Sequence, residues 1–142
     1  RDPSSRPVPR PSLTKIINSC QLNKRITVMT NVSNEELIGY YKNSYAVVLP
    51  SLYEGFGIPV LDAMSRGLPV LCSNTSSLPE VGGDAACYFN PTDPSDITDK
   101  ITRVITDTEL QRTMIQNGHV NTKKYQWATH VDKLLNTINH HI

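Results

Sequence analysis

Glu54, Gly55, Phe56 and Gly57 form a short run that joins an acid, two glycines and a helix start, the order that suits phosphate binding. Free N–H groups at a helix start carry partial positive charge, and glycines let the backbone approach a phosphate or sugar without side-chain obstruction. Glu54 adds an acceptor for hydroxyls. Asp62, eight residues on, is read as a first-turn acid that serves the same ligand. The chemistry is that of holding an anionic or hydroxyl-rich molecule. A plainer reading stands beside it: an acid in a first helical turn complements the macrodipole, and Gly-x-Gly occurs in many ordinary turns.

Regular elements must position these residues. An apolar strand, Tyr45 to Leu49, delivers the chain to Pro50 and the loop. Pro59 suits the first position of the following helix, where a missing N–H costs nothing. Val60, Leu61, Ala63 and Met64 supply its buried stripe before Gly67 stops it, and Pro69 to Cys72 is a second apolar strand. Upstream, Leu13, Ile16 and Ile17 suggest a short helix, and Arg25 to Met29 reads as a β-branched strand. Ser33 and Glu36 form a capping-box pattern opening a helix through Lys42.

Downstream, the polar turn Ser73 to Ser77 leads into LPEVGG and a short strand near Cys87 to Phe89. Pro94 opens a helix through Ile97, Ile101, Val104 and Ile105; another runs from Glu109 through Leu110, Met114 and Ile115 until Gly118. Trp127 begins a last amphipathic stretch with Val131, Leu134, Leu135 and Ile138 on one face. Strand and helix alternate, which predicts a doubly wound α/β domain.

Composition narrows the function classes. The 142 residues amount to one domain able to bury a core. A net charge of +1 with interspersed signs gives no field for nucleic acid, and no apolar run has the length of a membrane span. Cys20, Cys72 and Cys87 are odd in number and lack paired metal spacing; with Cys72 and Cys87 in strands, reduced buried thiols and a cytoplasmic location are expected. Peripheral attachment at the cytoplasmic membrane face stays open. Asn31 and Asn74 begin glycosylation triplets of a kind that arises readily by chance. His119, His130, His140 and His141 show no zinc-ligand pattern, so no metal is expected, and no serine nucleophile elbow, Walker loop or internal repeat is present.

The segment PSLYEGFGIPVLDAMSRGLPV from Pro50 to Val70 resembles the signature of the retaining GT-B glycosyltransferases of family four, the glycosyl transferases group 1 type. NVSNEELIGYYKNSYAVVLPS before it and PVLCSNTSSLPEVGGDAACYFNP after it also fit, in family order, from Arg25 to Trp127. The resemblance implies a Rossmann-like, doubly wound parallel sheet, the C-terminal half of a GT-B fold. It implies sugar transfer from a nucleoside diphosphate sugar with retention at the anomeric carbon, without a cofactor or divalent metal. By that resemblance Glu54 is the catalytic residue, contacting the donor sugar near the reacting carbon, and Gly55, Phe56, Gly57 and Ile58 present backbone N–H groups to the sugar hydroxyls. Asp62 occupies the place of a glutamate that binds the ribose, and Val32 lies beside the nucleobase. Asn74 to Ser77 face the donor in the family, although a helix-capping turn explains them equally; Glu80 is a weaker, structural candidate.

Two departures qualify the transfer. Asp62 keeps the charge of the family glutamate on a side chain about 1.5 Å shorter. The family's arginine and lysine for the diphosphate should lie upstream of Ser12, where the chain reads RDPSSRPVPRP, with four prolines and three arginines. Residues 1–11 therefore read as a linker or disordered arm, and Arg1, Arg6 and Arg10 as a solvated basic tail. Residues 12–142 read as a partial nucleotide-sugar-binding domain. Two strand-helix units are expected to be missing, their strands belonging between those near Ile26 and Val47, which leaves the sheet gapped or re-paired. The chain is thus expected to come from a longer or split polypeptide and to be inactive alone, its partners being the donor and an N-terminal acceptor domain or partner subunit. The alternative is a noncatalytic GT-B-like scaffolding or regulatory module.

Overall fold

The computed structural model describes residues 12–126, 131 and 135–138. Residues 1–11, and Trp127 and Leu134 of the last amphipathic stretch, lie outside the described residues. The chain divides into two compact units, Arg1–Glu36 and Leu37–Ile142.

In the first unit, Ser12 caps helix α1 (Leu13–Ser19) by accepting from the Lys15 N–H, and Ile17 is its buried residue. The helix expected around Leu13, Ile16 and Ile17 is present. At the end of the unit Ser33 and Glu36 make both capping-box bonds: Glu36 N–H to Ser33 Oγ at 3.2 Å and Ser33 N–H to Glu36 Oε2 at 2.8 Å. They open α2 (Asn34–Asn43).

Arg25 to Met29 is not a strand. The Arg25 and Ile26 N–H groups instead close a turn on the Leu22 carbonyl, and Ile26, Val28 and Met29 are exposed. β-Branched composition suits a pleated, half-buried surface, and without a paired neighbour it specifies no ladder.

In the second unit, strands β1 (Val47–Leu49), β2 (Val70–Ser73) and β3 (Ala86–Phe89) form a parallel sheet in the order β1-β2-β3. Val47 pairs with Val70 and Val70 with Ala86. Helix α3 (Ile58–Ser65) crosses from β1 to β2, and α4 (Leu78–Gly82) with a 3-10 turn at Gly83–Ala85 crosses from β2 to β3. Parallel strands need such crossovers, and the helices cover the central strand, all four of whose residues are buried.

Alternation along β2 divides the core. Val70 and Cys72 join Val60, Ala63, Met64, Leu78, Val81 and Ala85 in one cluster, while Leu71 joins Phe89, Val104 and Met114 in another. All three cysteines are free thiols, with Cys72 buried and Cys87 half-buried in neighbouring strands. Burial, reinforced by Cys87, pushes the Cys72 thiol from 9.0 up to about 12.

Asp93 caps α5 (Pro94–Thr106) through Ser95 and Asp96 N–H groups, and Asp107 caps α6 (Thr108–Thr122) through Leu110 N–H. The helix expected to stop at Gly118 runs on to Thr122. Gly118 is a close-approach residue: a Cβ there would lie 3.2 Å from Met64 Cγ and 3.3 Å from Met64 Cβ. Its missing side chain lets α6 settle onto α3.

Candidate functional site

The loop from Ser51 to Gly57 leaves the C-terminal end of β1 and enters α3, the end of a parallel strand where open α/β sheets bind ligands. Its two glycines do different work. Gly57 is the N-cap of α3 at φ +114°, and a Cβ there would meet Leu78 Cδ2 at 3.0 Å. Gly55 faces open space, with nothing within 4 Å of an added Cβ. No side chain caps α3. Among the described residues, the N–H groups of Gly55, Phe56, Gly57 and Ile58 donate to no protein group. Pro59 occupies the second helical position, not the first, because Ile58 already has helical backbone.

Glu54 is half-buried and oriented by its own loop: Ser51 Oγ donates to Glu54 Oε1 at 2.7 Å. Oε2 accepts no hydrogen bond among the described residues. The backbone of Glu54 is held from the turn that follows β2, the strand beside β1. Ser76 Oγ donates to the Glu54 carbonyl at 2.7 Å and accepts from the Glu54 N–H at 3.3 Å. Ser77 Oγ lies 3.0 Å from the Glu54 carbonyl and 2.8 Å from that of Phe56. Thr75 Oγ1 reaches the Leu52 carbonyl at 3.3 Å.

The polar turn nominated as a ligand surface thus spends its Thr75, Ser76 and Ser77 hydroxyls on the loop. Asn74 uses its backbone N–H on the Phe89 carbonyl and leaves its side chain exposed. Glu80 participates through its carbonyl, which accepts from Tyr125 Oη at 3.1 Å. The Tyr125 ring meets Phe56 edge-on with centroids 5.8 Å apart, a second brace on the loop.

Asp62 lies in the second turn of α3, since the helix starts at Ile58. It therefore cannot act as the first-turn macrodipole partner expected from the sequence. Its spacing puts it on the same face as Ile58, one turn from the free amides. Its carboxylate makes no hydrogen bond or ion pair among the described residues. Nearby, Arg66 stacks 5.5 Å from the centroid of the Tyr41 ring. Burial and then the Asp62 charge raise the Tyr41 hydroxyl above its ordinary range, with Arg66 opposing. Sequence reasoning missed Arg66, although its i+4 spacing from Asp62 is a readable signal. It also missed Ser51, which only the loop conformation aims at Glu54. Val32 is half-buried in the first unit, directly ahead of the Ser33–Glu36 capping box.

Among the described residues, no group of three or more His, Cys, Asp or Glu side chains is arranged to hold a metal ion. No helix there is long and apolar enough to cross a membrane.

The family model described as glycosyl transferases group 1 matches residues 10–120. O-antigen chain mannosyltransferase B of Escherichia coli is 38% identical over 105 residues, which are 74% of this chain and 28% of that enzyme. This chain thus spans little more than a quarter of that relative's length. Among solved structures, the C-terminal domain of a glycosyl transferase group 1 family protein from Francisella tularensis is similar at 28% identity and a TM-score of 0.69. That match covers 80% of this chain and 60% of the other. Sucrose-phosphate synthase from Thermosynechococcus elongatus shares the fold at a TM-score of 0.76 and 24% identity, over 91% of this chain and 34% of its own. The parallel sheet with flanking helices is the Rossmann-like arrangement of GT-B glycosyltransferases. The chain belongs to the glycosyl transferases group 1 family.

Proposed function

We propose that this chain binds a nucleoside diphosphate sugar as the donor half of a retaining glycosyltransferase. The observation that carries the reading is the juxtaposition of four uncommitted backbone N–H groups, Gly55 to Ile58, with the open Oε2 of Glu54. As the bond to the leaving diphosphate breaks, positive charge develops on the sugar and negative charge on the diphosphate. Preorganised groups that stabilise those charges more in the transition state than in the ground state accelerate transfer. Glu54 serves the sugar near its reacting carbon, the amides serve its hydroxyls, and Asp62 reaches the ribose from the second turn of α3. No metal takes part in this reading. The acceptor belongs to an N-terminal domain or partner subunit, in keeping with relatives several times longer. Mannose is the first sugar to test, because the Escherichia coli relative is a mannosyltransferase. The assigned location is cytoplasmic, peripheral to the membrane at most.

The test is a titration of the ¹⁵N-labelled chain with GDP-mannose and UDP-glucose, following the amide resonances of Gly55 and Gly57. Shifts confined to residues 54–62, abolished by Glu54→Gln and weakened by Asp62→Asn but untouched by the distant Arg112→Ala, are expected. Absence of loop shifts with both GDP-mannose and UDP-glucose overturns the reading. The shorter reach of Asp62 favours a second one, a noncatalytic scaffolding or regulatory module, and that negative outcome selects it.

A further inference from the structure

We propose that Ser76 is a positioning residue for Glu54, tying the loop in place through both hydrogen-bonding groups of the Glu54 peptide. The proposal rests on the donor-site reading and deepens it. Ser76 stands 22 residues from Glu54 in sequence, yet its hydroxyl donates to the Glu54 carbonyl at 2.7 Å and accepts from the Glu54 N–H at 3.3 Å.

Its own backbone is in the left-handed region, at φ +57°. Glycine occupies that region without steric penalty, whereas serine is strained there. The turn would hold its shape more easily with glycine, so the advantage serine brings is the hydroxyl, and the hydroxyl is spent entirely on Glu54. Strain retained where it fixes a candidate ligand-binding acid points to a role in the site.

The rest of the loop is built to match. Ser77 holds the carbonyls of Glu54 and Phe56, and Ser51 takes Glu54 Oε1. With the peptide pinned by Ser76 and one carboxylate oxygen engaged by Ser51, Oε2 and the Gly55 to Ile58 amides keep a fixed mutual geometry. Preorganisation of that kind raises affinity by removing ordering cost from the binding step.

Ser76→Gly separates positioning from stability, because it removes the hydroxyl and the backbone strain together. In the full 142-residue chain, the unfolding midpoint is expected to hold or rise. ¹⁵N order parameters of residues 54–57 fall from about 0.85 toward 0.6. Affinity for GDP-mannose or UDP-glucose, whichever the parent chain binds, drops about 5- to 10-fold, the scale of one or two lost hydrogen bonds. Ser76→Thr keeps the hydroxyl while worsening the strain, so its affinity stays near the parent's as its midpoint falls.

Unchanged order parameters in Ser76→Gly overturn the proposal without any ligand. Parent-like affinity in Ser76→Gly, with binding abolished by Glu54→Gln, overturns positioning and leaves the donor site standing. Failure of the parent chain to bind either probe removes the donor reading and this proposal with it.

Discussion

Ser51 and Glu54 are joined side chain to side chain at 2.7 Å, within the loop that links β1 to α3. One carboxylate oxygen is therefore committed inside the protein, and the other accepts no hydrogen bond among the described residues. A hydroxyl donating to a carboxylate is a strong contact of its class. Ser51→Ala leaves Glu54 free to rotate, and donor affinity is expected to fall about 3- to 10-fold with unfolding free energy lowered by about 1 kcal/mol. Ser51→Thr retains the hydroxyl and most of the affinity. Calorimetric titration beside urea denaturation reads both quantities; equal affinity in all three proteins would sink the assignment.

The glycines of the loop should part company on substitution. Gly57→Ala places a Cβ at φ +114°, 3.0 Å from Leu78 Cδ2, and is expected to cost about 1–3 kcal/mol of stability. Gly55→Ala meets nothing within 4 Å, so stability changes by less than about 0.5 kcal/mol, while ligand approach is obstructed. Urea midpoints and donor titrations of the two variants check the contrast. A Gly55→Ala chain that binds like the parent argues against close backbone approach by the donor.

Helix α6 rests on α3 through a glycine. Gly118→Val drives a branched side chain into Met64, whose Cγ already lies 3.2 Å from an added Cβ. The expected loss is about 1–3 kcal/mol by overpacking. In a Met64→Ala background the same change should cost less, since the cavity receives the new methyls. A double-mutant cycle by chemical denaturation measures that coupling, and strict additivity would show that the helices do not meet as described.

Alkaline stability carries the signature of Cys72. Its folded pKa of about 12 lies above its ordinary 9.0, through burial and then Cys87, so above pH 9 the unfolded chain releases a proton that the folded chain retains. Stability contributed by the neutral thiol is whole below about pH 9 and declines as pH rises toward 12, by about 1.4 kcal/mol per unit. Tyr41 and Tyr88 are also raised by burial and add to the slope above their ordinary 10.0. Urea midpoints at pH 8, 9 and 10 should fall, with a shallower fall for Cys72→Ala. At pH 8, exposed Cys20 should react with a thiol reagent well before buried Cys72.

Much of this protein was legible in its sequence because the signals are local. Period and punctuation located α2, with its Ser33–Glu36 box, and α5, with Pro94 at its start, because caps and apolar stripes act within a few residues. The strand around Val47 to Leu49, the helix through Val60 and Met64 and the strand through Cys72 were readable for the same reason, and with them the order acid, glycines, helix.

Tertiary structure decided the remainder, where the answer depends on partners distant in the chain. A strand needs a neighbour, so the β-branched residues from Arg25 to Met29 are extended only in propensity. A glycine ends a helix or permits close contact according to what packs against it, and at Gly118 that is Met64. Hydroxyls 22 residues from Glu54 became its supports because a parallel sheet brings the ends of β1 and β2 side by side. Residue types and spacing along the chain were enough to nominate Glu54 and its amides; long-range hydrogen bonds and packing, which sequence spacing does not encode, determined what holds them.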